Sequence, residues 1–189
     1  LALGLVSMAS TAASAAGPAA GCVAGAPGIG DPYYPTYGNG GYDVRKYDLD
    51  VAYDPATDVL DGVAEIHATA TQSLCSFNLD LVGMTVGSVE VDDEPAAWTR
   101  AGQELVITPQ EPLKRSHRFE VTVEYDGVPQ EFVIVFPDGF ELRTGFMATP
   151  DGATVAGEPE VAAGWFPVND HPLDKAAYSF DRDLDAARL

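Results

Sequence analysis

Twelve residues near the C-terminus, GWFPVNDHPLDK from Gly164 to Lys175, place acid, base and aromatic side chains in one short loop. Asp170 beside His171 has the residue types for general acid–base work. Trp165, Phe166 and the prolines Pro167 and Pro172 could instead make a rigid structural corner. Other candidates for chemistry are few. His67 is followed by Ala, His117 by Arg and His171 by Pro, so none opens the H-E-x-x-H pair that holds a peptidase zinc. His67 and His117 fall in strand-like stretches and read as exposed or hydrogen-bonded strand histidines. No G-x-S-x-G elbow surrounds Ser73, Ser76, Ser88, Ser116 or Ser179. Gly38, Gly40 and Gly41 precede a strand pattern, not a helix, so they form no phosphate loop. Acidic pairs such as Glu158 and Glu160 carry little signal alone in a chain with 29 acidic and 10 basic residues.

The elements that must position these residues are strands. Tyr47, Leu49, Val51 and Tyr53 alternate with Asp48, Asp50 and Ala52, which is the period of a half-buried strand. Ile66, Ala68 and Ala70 repeat the pattern against Glu65, His67 and Thr69, as do Phe77, Leu79 and Leu81 against Asn78 and Asp80. Further strands are expected over 86–91, 105–108, 119–125 and 132–136. Asp54-Pro55 and Asp61-Gly62 read as the ends of a first hairpin, and Ala101-Gly102, Asp126-Gly127, Asp138-Gly139 and Asp151-Gly152 as later turns. No run of ten residues has helical periodicity. The fold class is therefore all-β, an antiparallel sandwich or saddle-shaped sheet.

Composition sets the surroundings of that fold. A net charge of −19 repels phosphate backbones and anionic lipid surfaces, which disfavours nucleic-acid and membrane partners. Leu1 to Met8 is apolar and uncharged like the end of a secretory h-region, and Ala13-Ser14-Ala15 fits a cleavage site. The chain is expected to begin inside a longer reading frame and to be exported. A lipoprotein anchor at Cys22, after Ala19-Ala20-Gly21, is the minority alternative. Residues 17–41, rich in Gly, Pro and Tyr, read as a disordered tether. The division expected is signal remnant and tether over 1–29, a β domain over 30–180 and a divergent tail over 181–189. The two cysteines, Cys22 and Cys75, can pair in an oxidising compartment, or Cys75 can stay a buried thiol. They cannot build a metal site.

Two blocks together carry a resemblance. Gly157-Glu158-Pro159-Glu160, Gly164-Trp165-Phe166-Pro167, Asn169-Asp170-His171-Pro172 and Lys175 form the first. The second is Gly30-Asp31-Pro32-Tyr33-Tyr34-Pro35, Gly38-Asn39-Gly40-Gly41-Tyr42-Asp43-Val44 and Tyr47-Asp48-Leu49. They resemble the N-terminal domain of the aminopeptidase N family of zinc metallopeptidases, in its exported actinobacterial form. The resemblance implies a saddle-like β domain covering a separate catalytic domain whose H-E-x-x-H helix binds zinc. It also implies that Glu158, eight residues before Phe166, anchors the amino terminus of a peptide substrate, with Glu160 as the weaker choice. Asp170 and His171 become corner residues, and Trp165 and Phe166 bury against the catalytic domain. This stretch holds no zinc ligands and is expected to be inactive alone; the zinc belongs to the parent enzyme. The tail after Phe180 departs from the family pattern, as a truncated or frameshifted frame would. The competing reading is a free-standing secreted β-sandwich that binds carbohydrate or protein through Tyr33, Tyr34, Tyr37 and Tyr42.

Overall fold

A computed structural model describes residues 21–157 and 161–182. Among them the strands are β1 (Val23–Ala24), β2 (Tyr42–Asp54), β3 (Val59–Ala70), β4 (Leu74–Asp80), β5 (Thr85–Val91), β6 (Glu94–Pro95) and β7 (Ala97–Ala101). They continue with β8 (Glu104–Thr108), β9 (Arg118–Gly127), β10 (Glu131–Val135), β11 (Glu141–Thr149), β12 (Gly152–Ala156) and β13 (Ala177–Arg182). One 3-10 turn, Ala162–Gly164, interrupts them. The all-β expectation holds.

Three sheets result. The largest has the order β13-β2-β3-β9-β5-β6, the second β1-β4-β8-β7, and the smallest β10-β11-β12. Alternation decides which faces meet. Along β3 every second residue from Leu60 to Ala70 is buried, and Ile66 lies between Tyr47 of β2 and Val121 of β9. That apolar face packs on Leu74, Phe77 and Leu79 of β4 and Leu105 and Ile107 of β8. Phe77 and Phe119 meet with ring centroids 5.3 Å apart, joining the two sheets.

Several local expectations change. Most ladders are antiparallel, but β13 runs parallel to β2 and β1 parallel to β4, so the sheets are mixed. Asp61-Gly62 lies inside β3 and ends no hairpin. The turn is formed by residues 55–58, with Asp58 in the left-handed region at φ 58°. Gly62 has a packing reason: it faces Tyr125 across the ladder, where a Cβ would come 2.4 Å from the phenol ring. Tyr42, expected at an exposed binding face, is a buried core residue whose hydroxyl donates to the Asn78 carbonyl.

The segment read as a tether is part of the fold from Gly21 onward. Cys22 and Cys75 form a disulfide, with Cα atoms 5.2 Å apart, which overturns the free-thiol alternative for Cys75. The parallel pairing of β1 with β4 holds the same segment by backbone hydrogen bonds, among them Gly25 N–H to the Ser76 carbonyl at 2.8 Å. The signal remnant over residues 1–20 and the tail from 183 lie outside the described residues.

Candidate substrate-side surface and its corner

The loop from Val161 to Ala176 is stitched to the end of β4. Asp80 and Val168 exchange both backbone hydrogen bonds, at 2.7 and 3.0 Å, and Val82 donates to the Ala163 carbonyl at 2.7 Å. These bonds turn the chain back across the sandwich before it enters β13. Asp170 is buried, and its Oδ2 accepts the Ala163 N–H at 3.0 Å, closing the corner on its own 3-10 turn. Pro167 is buried in this corner, whereas Pro172 is exposed on its outer side.

Asp170 and His171 do not face one another as an acid–base pair. The His171 side chain is almost fully buried, with Nδ1 accepting the Leu173 N–H at 3.1 Å. Its Nε2 lies 3.4 Å from Asp31 Oδ2, an ion-pair separation whose geometry falls short of a hydrogen bond. Asp31 in turn caps the backbone N–H groups of Tyr33 and Tyr34, and the Tyr33 bond is the main reason its carboxyl sits below the ordinary range. Gly38 makes this docking possible: a Cβ there would sit 2.5 Å from that of His171, and its φ is +71°.

Beneath the corner lies a buried polar group that the motifs do not announce. Asp80, fully buried, accepts Asn39 Nδ2 at 3.0 Å, the Asp170 N–H at 2.9 Å and Gln103 Nε2 at 3.1 Å. Glu104, its cross-strand partner on β8, is also buried and faces it across the ladder. Burial, and then the Asp80 charge, push the Glu104 carboxyl up to about 7. The Asn169 backbone N–H donates to Tyr47 Oη at 3.0 Å, and its side-chain amide donates to Asp174. Burial raises the Asp174 carboxyl to about 6, against the lowering effect of the Val44 N–H. The one legible signal was polar residues at alternate positions of apolar strands, Asn78 and Asp80 in β4 and Glu104 at the start of β8.

Glu158 and Glu160 lie outside the described residues, but their flanks do not. Gly157 and Val161 both line an open cavity of about 410 Å³, together with Trp165, Phe166, Tyr178 and Phe180. Its aromatic wall is layered. Tyr178 stacks on Tyr47 at 5.0 Å, and Phe180 stacks on Trp165 at 6.3 Å. Phe166 is already buried within this domain, against Tyr47 and Trp165, so it is not waiting for another domain to cover it. Trp165 is only half-buried, and Tyr178 and Phe180 are about half exposed. Apolar exposure continues on the small sheet, over Val133, Val135, Phe136, Phe140 and Val155.

On the outer face of the large sheet, His67 Nε2 lies 3.0 Å from Asp48 and Nδ1 lies 3.1 Å from Glu120. Asp48, Glu65 and His67 are close enough to share an ion. The donor set does not fit a peptidase zinc, which takes imidazole-rich ligand sets with an open position. Here there is one imidazole, engaged at both nitrogens, and the Lys46 ammonium already sits 2.6 Å from Asp48.

Residues 44–187 match the family model of the peptidase M1 N-terminal domain. The chain belongs to that family. An M1 zinc metallopeptidase from Deinococcus radiodurans is similar in structure, with a TM-score of 0.73 and 27% identity over 82% of this chain. A variant of it bound to a Tyr-Ser-Ala substrate, and a two-domain M1 zinc metallopeptidase variant bound to L-arginine, match at TM-scores of 0.72 and 0.73 and the same identity. This chain spans 35% of each of those proteins, about a third of their length. No curated protein matches it. Family membership and the burial of Tyr42 together disfavour the free-standing binding module.

Proposed function

We propose that this M1 N-terminal domain is the non-catalytic, substrate-anchoring part of an exported zinc aminopeptidase. In this reading, the zinc and the hydrolytic residues are supplied by a catalytic domain that packs on the apolar surface of β10–β12 and on the Trp165–Tyr178–Phe180 face. The observation that carries it is the aromatic cavity lined by the residues on both sides of the Glu158–Glu160 segment. A monomer rarely leaves so much contiguous apolar surface uncovered without a partner for it. Glu158 reaches across the boundary to the ammonium group of a peptide's first residue, forming a charge-assisted hydrogen bond. The Cys22–Cys75 disulfide supports an oxidising, exported setting. A sulfur held in that bond cannot also carry a thioether lipid, which favours secretion over anchoring at Cys22.

The test uses the longer protein with its catalytic domain. Glu158→Ala removes one ionic hydrogen bond of roughly 1.5–3 kcal/mol. The expected result is a loss of about tenfold to a hundredfold in kcat/KM on peptides with a free amino terminus. Amino-blocked peptides present no cation and should be cleaved at an unchanged rate. Equal losses on both would assign Glu158 to the domain interface and not to substrate.

A further inference from the structure

Asp80 and Glu104 are two carboxyl groups facing each other across the β4–β8 ladder, Asp80 fully buried and Glu104 nearly so. We infer that they share one proton, and that this proton latches the N-terminal segment and the 161–174 corner onto the sandwich. The hydrogen bonds assign the proton. Burial pushes the Asp80 carboxyl up, but N–H donors from the Asp170 backbone, Gln103, Gly38 and Asn39 oppose it and favour Asp80 over Glu104 as the ionised member of the pair. Glu104 has no comparable set of donors, and its Oε2 is buried without a hydrogen-bond partner. The Glu104 hydroxyl is therefore the donor and Asp80 the acceptor.

Each element packed against the pair depends on it. Asn39 and Thr36, in the N-terminal segment, are tied in through Asp80 and through Gln103. The corner is tied through the Asp170 N–H, and Asp170 passes the constraint to Ala163, two residues before Trp165. Turned towards the interior are Tyr42 and Tyr47 of β2 and Asp170, His171 and the half-buried Asp174 of the corner. Asp31 faces His171, Lys175 is exposed, and Arg45 and Lys46 pair with Asp43 and Asp48. None supplies a cation to Glu104. Arg100, the basic residue of the adjacent strand β7, spends its guanidinium on the carbonyls of Leu81 and Met84. When Glu104 loses its proton, two uncompensated charges occupy one buried site, and like charges at that distance cannot both remain.

The sign follows from burial raising the folded-state affinity for the proton. Stability from this group is complete below the unfolded carboxyl range and is lost as pH climbs through about 7. Asp174 adds a loss in the same direction, finishing earlier, at about 6. The chain is thus tightest in mildly acidic solution, and its corner loosens across neutrality.

Two tryptophans make this measurable, Trp98 in β7 and Trp165 in the corner. In a Trp98→Phe background, the emission of Trp165 reports the corner alone. It should shift to the red with a midpoint near pH 7, and Tm should fall by about 5–10 °C between pH 5.5 and 8.5. Glu104→Gln keeps a neutral donor towards Asp80 and should abolish the shift near pH 7, leaving only the lower step from Asp174. A Glu104→Gln profile parallel to its parent would assign the transition to a histidine and overturn the latch. Should that variant not fold, carboxyl carbon NMR of the unmodified chain decides. A Glu104 titration near 7 upholds the shared proton, and one near the ordinary glutamate range ends the proposal.

Discussion

Strand β3 lies inside the largest sheet and strand β10 at the edge of the smallest, and they treat apolar side chains in opposite ways. Along β3, Leu60, Ala64, Ile66 and Ala68 are nearly inaccessible and the polar residues between them look outward. Along β10, Val133, Ile134 and Val135 are exposed whichever way they point, and β12 repeats this with Val155. The large sheet and its four-stranded partner close on each other, so their hydrophobic area is removed from water within the domain. Among the described residues, the three-stranded sheet joins the core through Phe146 of β11 but leaves Val133, Ile134 and Val135 uncovered. One region is a finished core; the other is an exposed apolar face, for which the proposed function supplies a partner, so its stability and its purpose are separable.

That separation can be broken at its strongest point first. Leu79→Ala empties a fully buried position between the sheets and should cost about 2–5 kcal/mol, seen as a lower urea midpoint with an unchanged slope. The disulfide comes next. Cys22→Ser opens a cross-link spanning 53 residues and should cost roughly 2–4 kcal/mol, with the same fall in Tm when the parent is reduced. A reduced parent that melts unchanged would mean that β1 pairing alone holds the N-terminal segment. Val135→Thr is the smallest. At 62% exposure it should change the stability of this chain by less than about 0.5 kcal/mol, while weakening association with the proposed catalytic domain. A loss comparable to that of Leu79→Ala would show that the small sheet carries a core of its own.

Where one face of a strand is buried and the other wet, the sequence was transparent. The strands β2, β3, β4, β5, β8 and β9 were legible because period-two alternation records that asymmetry directly, and β10 was legible from its apolar run over 132–136. The strands that escaped notice lack it. Glu141–Thr149 mixes Arg143, Thr144 and Gly145 among apolar residues, and its pairing is fixed by hairpins on both sides. β13 depends on a parallel partner far away in the chain, which no local pattern encodes. The corner was recognisable from Trp165-Phe166-Pro167 and Asp170-His171-Pro172, and family membership now gives it a context. The Asp80–Glu104 pair was not, because a carboxyl in an alternating strand reads as solvent-facing until the opposite sheet is in place. The disulfide stayed open for the same reason, since only the docking of β1 beside β4 brings Cys22 to Cys75.

The parallel pairing of β13 with β2 also sets an order of events as the polypeptide is made. Lys46, Tyr47 and Asp48 acquire partners on one side from β3 almost at once, but on the other side from residues 131 positions later. At ribosomal speeds of about 5–20 residues per second, that is an interval of roughly 7 to 26 s. Throughout it, one margin of β2 presents free N–H and C=O groups, and Tyr47 lacks the ring of Tyr178 above it. The outward positions of β2 are occupied by Asp43, Arg45, Asp48 and Asp50, charges that discourage a neighbouring nascent chain from adding itself to that margin. Side chains that look like ordinary surface in the finished domain thus act as guards during its birth.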